Sequence, residues 1–142
     1  MIQFFVDEWR KEDYLVRLGE KEVYIGYEKK CIKLVKSNVT QIKELACNHE
    51  EADTRMFLHA SHAGKAGYQN IVIISDDTDV MVIGLGHIKS LSGNLYQKPG
   101  NQNRSKLINL SQISNALGSN ISEALIGLHS FTGYDSVSAL RW

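Results

Sequence analysis

The ten residues from Ile71 to Val80 constrain this chain more than any other stretch. The apolar run Ile71-Val72-Ile73-Ile74 is followed at once by Ser75, Asp76, Asp77, Thr78 and Asp79. Four consecutive β-branched residues are stiff at the first side-chain torsion and pack well on a pleated surface, so the run reads as a strand. An uninterrupted apolar run predicts burial on both faces, as in a parallel sheet with helices on either side. Open sheets of that kind set their sites at the carboxyl ends of strands. Three carboxylates within four residues at that place either hold a cation or cap the next helix.

The rest of the chain supplies helices and strands to build around this one. Ile2, Phe5, Val6, Trp9, Tyr14 and Leu18 follow the helical period, so residues 2–18 read as one amphipathic helix closed by Gly19. Val23-Tyr24-Ile25 and Cys31 to Val35 read as a hairpin around Gly26, Glu28 and Lys29. Asn48 with Glu51 three residues on is a variant capping box, opening a helix that runs to about Ala63. Val80 to Leu85 continues as a helix or a further strand. Residues 93–106 form a loop or hairpin between Leu95-Tyr96 and Leu107 to Leu110; Ser111 caps a helix ending at Gly118, and residues 121–130 form a last helix before a turn at residues 131–135. Strands alternating with helices predict an α/β protein, a three-layer α/β/α sandwich with a mostly parallel central sheet.

With 142 residues, 43% of them hydrophobic, the chain can bury about two-thirds of its unfolded surface and form one core. Sixteen cations balance sixteen acids, so no global field points to nucleic acid or a membrane. The balance is uneven along the chain: five cations and two acids follow Asp79, a net charge of +3 against −3 before it. Cys31 and Cys47, far apart and without a Cys-x-x-Cys pair, fit reduced thiols. With no apolar stretch near the ~20 residues of a membrane span and no signal-peptide pattern, the expectation is an intracellular protein of nucleus or cytoplasm, with no membrane partner.

The acids that carry chemistry are Glu51 and Asp53 at a helix start, Asp77 and Asp79 after the strand, and Asp135 after a glycine-containing turn. Hard divalent cations take oxygen ligands, and Mg²⁺ binds through a few carboxylates while keeping several waters. The succession Glu51-Ala52-Asp53, Asp77-Thr78-Asp79 and Gly133-Tyr134-Asp135 resembles the acidic motifs of the PIN-like nucleases, the flap-endonuclease group especially. His49 to Arg55, Asp77 to Val80 and His129-x-Phe131-Thr132-Gly133-x-Asp135 more specifically resemble a set of animal PIN-like proteins.

The resemblance implies a single PIN-like domain over 1–142, incomplete, with residues 1–44 as a helix-and-hairpin leader and 45–140 as the acidic-motif core. It implies a Mg²⁺- or Mn²⁺-dependent endo- or exonuclease, a hydrolase acting on DNA or RNA, with Glu51, Asp53, Asp77, Asp79 and Asp135 as catalytic metal ligands. Such families also carry an aspartate on their first strand, whereas this chain opens with a helix bearing Asp7 and Glu8. The alternative is therefore a catalytically inactive PIN-like module that binds nucleic acid or a protein partner.

Other readings of the same residues are blander. Glu51 and Asp53 suit a helix N-terminus, and Asp76 or Asp77 can cap a helix from Thr78. Cys47, His49, His59 and His62 could hold zinc, though the helical pair is more closely spaced than usual. Lys98, Arg104 and Lys106 could lie along a phosphate backbone, or belong to a solvated turn. Gly84-Leu85-Gly86 lacks the third glycine of a phosphate loop, and Phe4, Phe5, Trp9 and Phe57 suit core faces better than base stacking.

Overall fold

The computed structural model describes residues 2–47, 52–100 and 106–132, and the chain divides into two compact units, Met1–Glu50 and Glu51–Trp142. In the first, helices α1 (Ile2–Trp9) and α2 (Glu12–Leu18) precede strands β1 (Val23–Tyr27), β2 (Lys30–Val35) and β3 (Asn38–Gln41) and a 3₁₀ turn at Lys43–Leu45. The single helix expected over residues 2–18 is broken at Arg10 and Lys11, and Lys11 is extended, with φ −66° and ψ 143°. Helical phase explains the break. At 3.6 residues per turn, the nine residues from Val6 to Leu15 advance about half a turn beyond whole turns, placing these side chains on opposite faces of a continuous helix. The kink lets Val6, Leu15 and Leu18 all enter one core with Tyr27, Ile32 and Leu34. Phe4, Phe5 and Trp9, expected on a core face, are instead exposed.

The three strands form an antiparallel meander in the order β1-β2-β3. Its first turn is tighter than expected: Gly26 pairs with Cys31 inside the ladder, and Glu28 takes the left-handed conformation with φ 49°. β3 was not expected, because Asn38, Thr40 and Gln41 carry no apolar alternation.

The second unit holds α3 (Ala52–Lys65), β4 (Asn70–Ile74), α4 (Thr78–His87), a 3₁₀ turn at Ile88–Ser90, β5 (Asn94–Lys98), β6 (Ile108–Asn109), α5 (Leu110–Leu117) and α6 (Ser119–Thr132). Val80 to Leu85 is thus helical, and α6 runs on through Phe131 and Thr132, where a turn was expected. β4 and β5 pair in parallel across α4, in the register Ile71↔Leu95 and Ile73↔Gln97. β5 and β6 pair antiparallel, with Gln97 opposite Ile108.

The expected three-layer sandwich with a mostly parallel sheet is not what forms. The fold is a small mixed α/β arrangement with two three-stranded sheets, one antiparallel and one mixed. Burial along β4 shows why. Ile71 and Ile73 are 8% and 6% exposed, but Val72 and Ile74 are 48% and 65% exposed. The covered face meets Phe57 and Ala60 of α3, Val80, Ile83 and Leu85 of α4 and Leu110 of α5 in one core. The run of β-branched residues reports strand preference, which Val72 and Ile74 satisfy without a second helical layer.

Gly84 and Gly86 serve this packing. A Cβ at Gly84 would stand 2.9 Å from Leu110 Cδ1, and one at Gly86 would stand 2.0 Å from Ile126 Cδ1, so α4 meets its neighbours almost backbone to side chain. No helix among the described residues is long and apolar enough to cross a membrane.

Candidate functional site

The candidate site is a cleft at the carboxyl ends of β4 and β5, of about 200 Å³, lined by Ser75, Asp76, Asp77, Thr78, Met81, Gln97, Pro99 and Ile108. Its floor follows from strand pairing. Ser75 N–H donates to the Lys98 carbonyl at 3.0 Å, one step past the last paired residues of the ladder, and the chain then leaves the sheet toward α4.

Each residue of the connecting loop is held by a specific contact. Asp77 is the N-cap of α4: its Oδ1 accepts the Asp79 backbone N–H at 2.8 Å. Its own N–H donates to Ser75 Oγ at 3.1 Å. Asp76 Oδ1 accepts the Gly100 N–H at 3.1 Å, tying the loop to the segment after β5. From the sheet side, Gln97 Nε2 donates to the Ser75 and Asp77 carbonyls, both at 3.0 Å. These two bonds fix the orientation of the amide, since a flipped group would set its oxygen against two carbonyls. Gln97 is 5% exposed, and its Oε1 is buried without a hydrogen-bond partner among the described residues.

Of the acids singled out from sequence, the structure places Asp77 on the cleft; Asp79, in the first turn of α4, does not line it. Asp53 lies half-buried in the first turn of α3. Phe57, one turn further on, stacks on His87 with ring centroids 6.1 Å apart, at the end of α4 remote from Asp77. Glu51 and Asp135 lie outside the described residues. Among the described residues no three Asp, Glu, His or Cys side chains converge on a point that could hold a metal.

Lys98 and Lys106 are exposed, Lys98 ending β5 beside Pro99; Arg104 lies outside the described residues. Cys47 is a buried thiol of the first unit, His59 and His62 belong to α3, and His49 lies outside the described residues. Burial, then the neighbouring His62 and Arg55, hold the His59 imidazole below its ordinary pKa.

The sequence does not single out Gln97, and it offers Asp76 only within the carboxylate cluster and as a candidate cap of α4. A signal for Gln97 exists: Leu95 and Gln97 share the inward phase of β5, with Tyr96 and Lys98 on the other, so a polar side chain occupies a core position. Compared with protein-family models, curated proteins and solved structures, the chain matches none of them.

Proposed function

We propose that this chain is a divalent-metal-dependent nuclease that hydrolyses phosphodiester bonds of DNA or RNA. The observation carrying this reading is the character of the cleft. Asp76 and Asp77 are among its lining residues, and no Lys, Arg or His lines it among the described residues. Acceptor oxygens without a protein cation suit a hard divalent ion such as Mg²⁺ or Mn²⁺. Such an ion, when bound, lowers the pKa of a water and offsets charge on phosphate oxygens.

The chain's own residues do the positioning. Asp77 holds one carboxylate oxygen on the start of α4, so that only its second oxygen is left to serve as a ligand. The Gly100 N–H steadies Asp76 in the same way. Glu51, Asp53, Asp79 and Asp135 are the further acids that the motif resemblance assigns to the site. Lys98, Lys106 and Arg104 supply cations for the substrate's phosphates, which fix register without reading sequence. Water adds across one P–O bond, leaving a phosphate monoester on one fragment and a hydroxyl on the other.

The capping bond of Asp77 favours a second reading, an inactive module that binds nucleic acid or a protein, because it gives that carboxylate a structural use independent of catalysis. Calorimetric titration of Mn²⁺ into the chain, with cleavage assays on labelled single-stranded and branched DNA and RNA, separates the two. Binding with cleavage, both lost in Asp77→Asn, supports the nuclease. Nucleic-acid binding without metal dependence or cleavage supports the module.

A further inference from the structure

Gln97 is out of place in its surroundings. It stands in register between Ile73 and Ile108 on the covered face of the mixed sheet, where its neighbours across the ladder are aliphatic. Its amide nitrogen is fully used, one hydrogen donated to the Ser75 carbonyl and the other to the Asp77 carbonyl. Its oxygen is buried and accepts nothing among the described residues. A buried amide oxygen without a donor is unfavourable, and native structures rarely keep one without a reason. Here the residue lines the same cleft as two carboxylates. Asp76 and Asp77 each spend one oxygen on a backbone N–H, at 3.1 and 2.8 Å.

We infer that Gln97 Oε1 is a neutral ligand for the divalent cation of this cleft, completing with Asp76 and Asp77 a set of three protein oxygens. This rests on the metal-dependent reading above and changes its ligand set, bringing in Asp76 and Gln97 and leaving Asp79 outside the cleft. The chemistry is consistent. Two carboxylates balance the charge of a divalent ion, so a third ligand from inside the sheet is best uncharged, because a buried carboxylate would carry a desolvation penalty with no cation left to offset it. An amide oxygen is a hard donor of the kind Mg²⁺ and Mn²⁺ accept, and three protein oxygens leave half of an octahedral shell for water and a phosphate oxygen. The two donated hydrogen bonds also hold the amide in one orientation, as outer-sphere hydrogen bonds do for ligands in metal sites generally.

The test is a Mg²⁺ titration of the ¹⁵N-labelled full chain, followed through the side-chain NH₂ resonances. The Gln97 pair is identified by its absence in Gln97→Leu and, should that variant not fold, by its through-space contacts to Ser75 and Asp77. The expected result is that this pair shifts on saturation with Mg²⁺ and broadens with trace Mn²⁺, and that Gln97→Leu binds Mn²⁺ about ten- to a hundredfold more weakly. Backbone amides of Asp76 and Asp77 that respond to Mg²⁺ while the Gln97 pair stays unmoved would overturn the inference and leave the nuclease reading standing. A wild-type chain whose resonances ignore both ions would overturn both.

Discussion

Asp77 has two uses that substitution can separate. As the N-cap of α4 it accepts the Asp79 N–H; as a member of the cleft it presents negative charge. Asp77→Ala removes both, whereas Asp77→Asn keeps the capping oxygen and removes only the charge, Asn and Asp being equivalent caps. Loss of a side-chain cap costs about 1 kcal/mol. For a unit of about ninety residues, an unfolding entropy of about 2.1 cal/mol/K per residue sums to about 0.2 kcal/mol/K, so Tm falls by about 5 °C in Asp77→Ala. In Asp77→Asn the weakened attraction to the helix dipole is offset by relief of repulsion from Asp76 and Asp79, and Tm stays within about 2 °C of wild type. Differential scanning calorimetry reads the stability, and Mn²⁺ titration with a cleavage assay reads the site. The expected pattern is loss of metal binding and cleavage in both variants but a lowered Tm only in Asp77→Ala. An Asp77→Asn chain that binds Mn²⁺ and cleaves like wild type would refute the use of this carboxylate by the site; an Asp77→Ala chain with unchanged Tm would refute the cap.

Four further outcomes are expected. Gly64→Ala would set a Cβ 2.3 Å from the Ser92 backbone oxygen, so thermal unfolding should show a loss of about 1–2 kcal/mol despite the better helix former. Gly127→Ala, with nothing within 4 Å, should gain about 0.4–1 kcal/mol. The buried hydroxyls of Ser114 and Ser122 lie 3.2 Å apart, so either single change to Ala should cost about 1–3 kcal/mol and the double change less than the sum, a denaturant double-mutant cycle giving the coupling. The His59 pKa is lowered on folding, so below its ordinary value of 6.5 the unfolded chain binds the proton more readily. Stability is therefore full above that value and falls as pH drops from it toward the folded value; denaturant midpoints across this range should fall in wild type and flatten in His59→Gln.

What was legible in the sequence was local. The β4 strand, the Asp77 cap and the stop at Gly118 each depend on a few adjacent residues and appear where expected. What was not legible depends on partners distant in the chain. Ser111 looks like the cap of α5, but its hydroxyl accepts the Leu95 N–H, and Asn109 does the capping. The break between α1 and α2 follows from which side chains must share a core, which periodicity within one segment does not reveal. Whether β4 is covered on one face or two depends on how many helices return over the sheet, and four β-branched residues read the same either way. At the site, Asp77 was visible as a carboxylate after a strand, while Gln97 became conspicuous only when register set it among Ile73 and Ile108.

The half-bare edge strand has a consequence for the chain's behaviour in company. β4 is an outer strand of its sheet among the described residues, and it carries Val72 and Ile74 into solvent. A short, uncharged β-branched window at a sheet edge is the template on which copies stack in register. Here the window runs straight into Asp76, Asp77 and Asp79, and in any such stack like charges would be superposed a strand spacing apart, about 4.8 Å. The carboxylates thus act as gatekeepers against self-assembly, a role that holds whether or not a cation ever visits them. Variants that neutralise all three should be watched by light scattering before lost activity is read as lost chemistry.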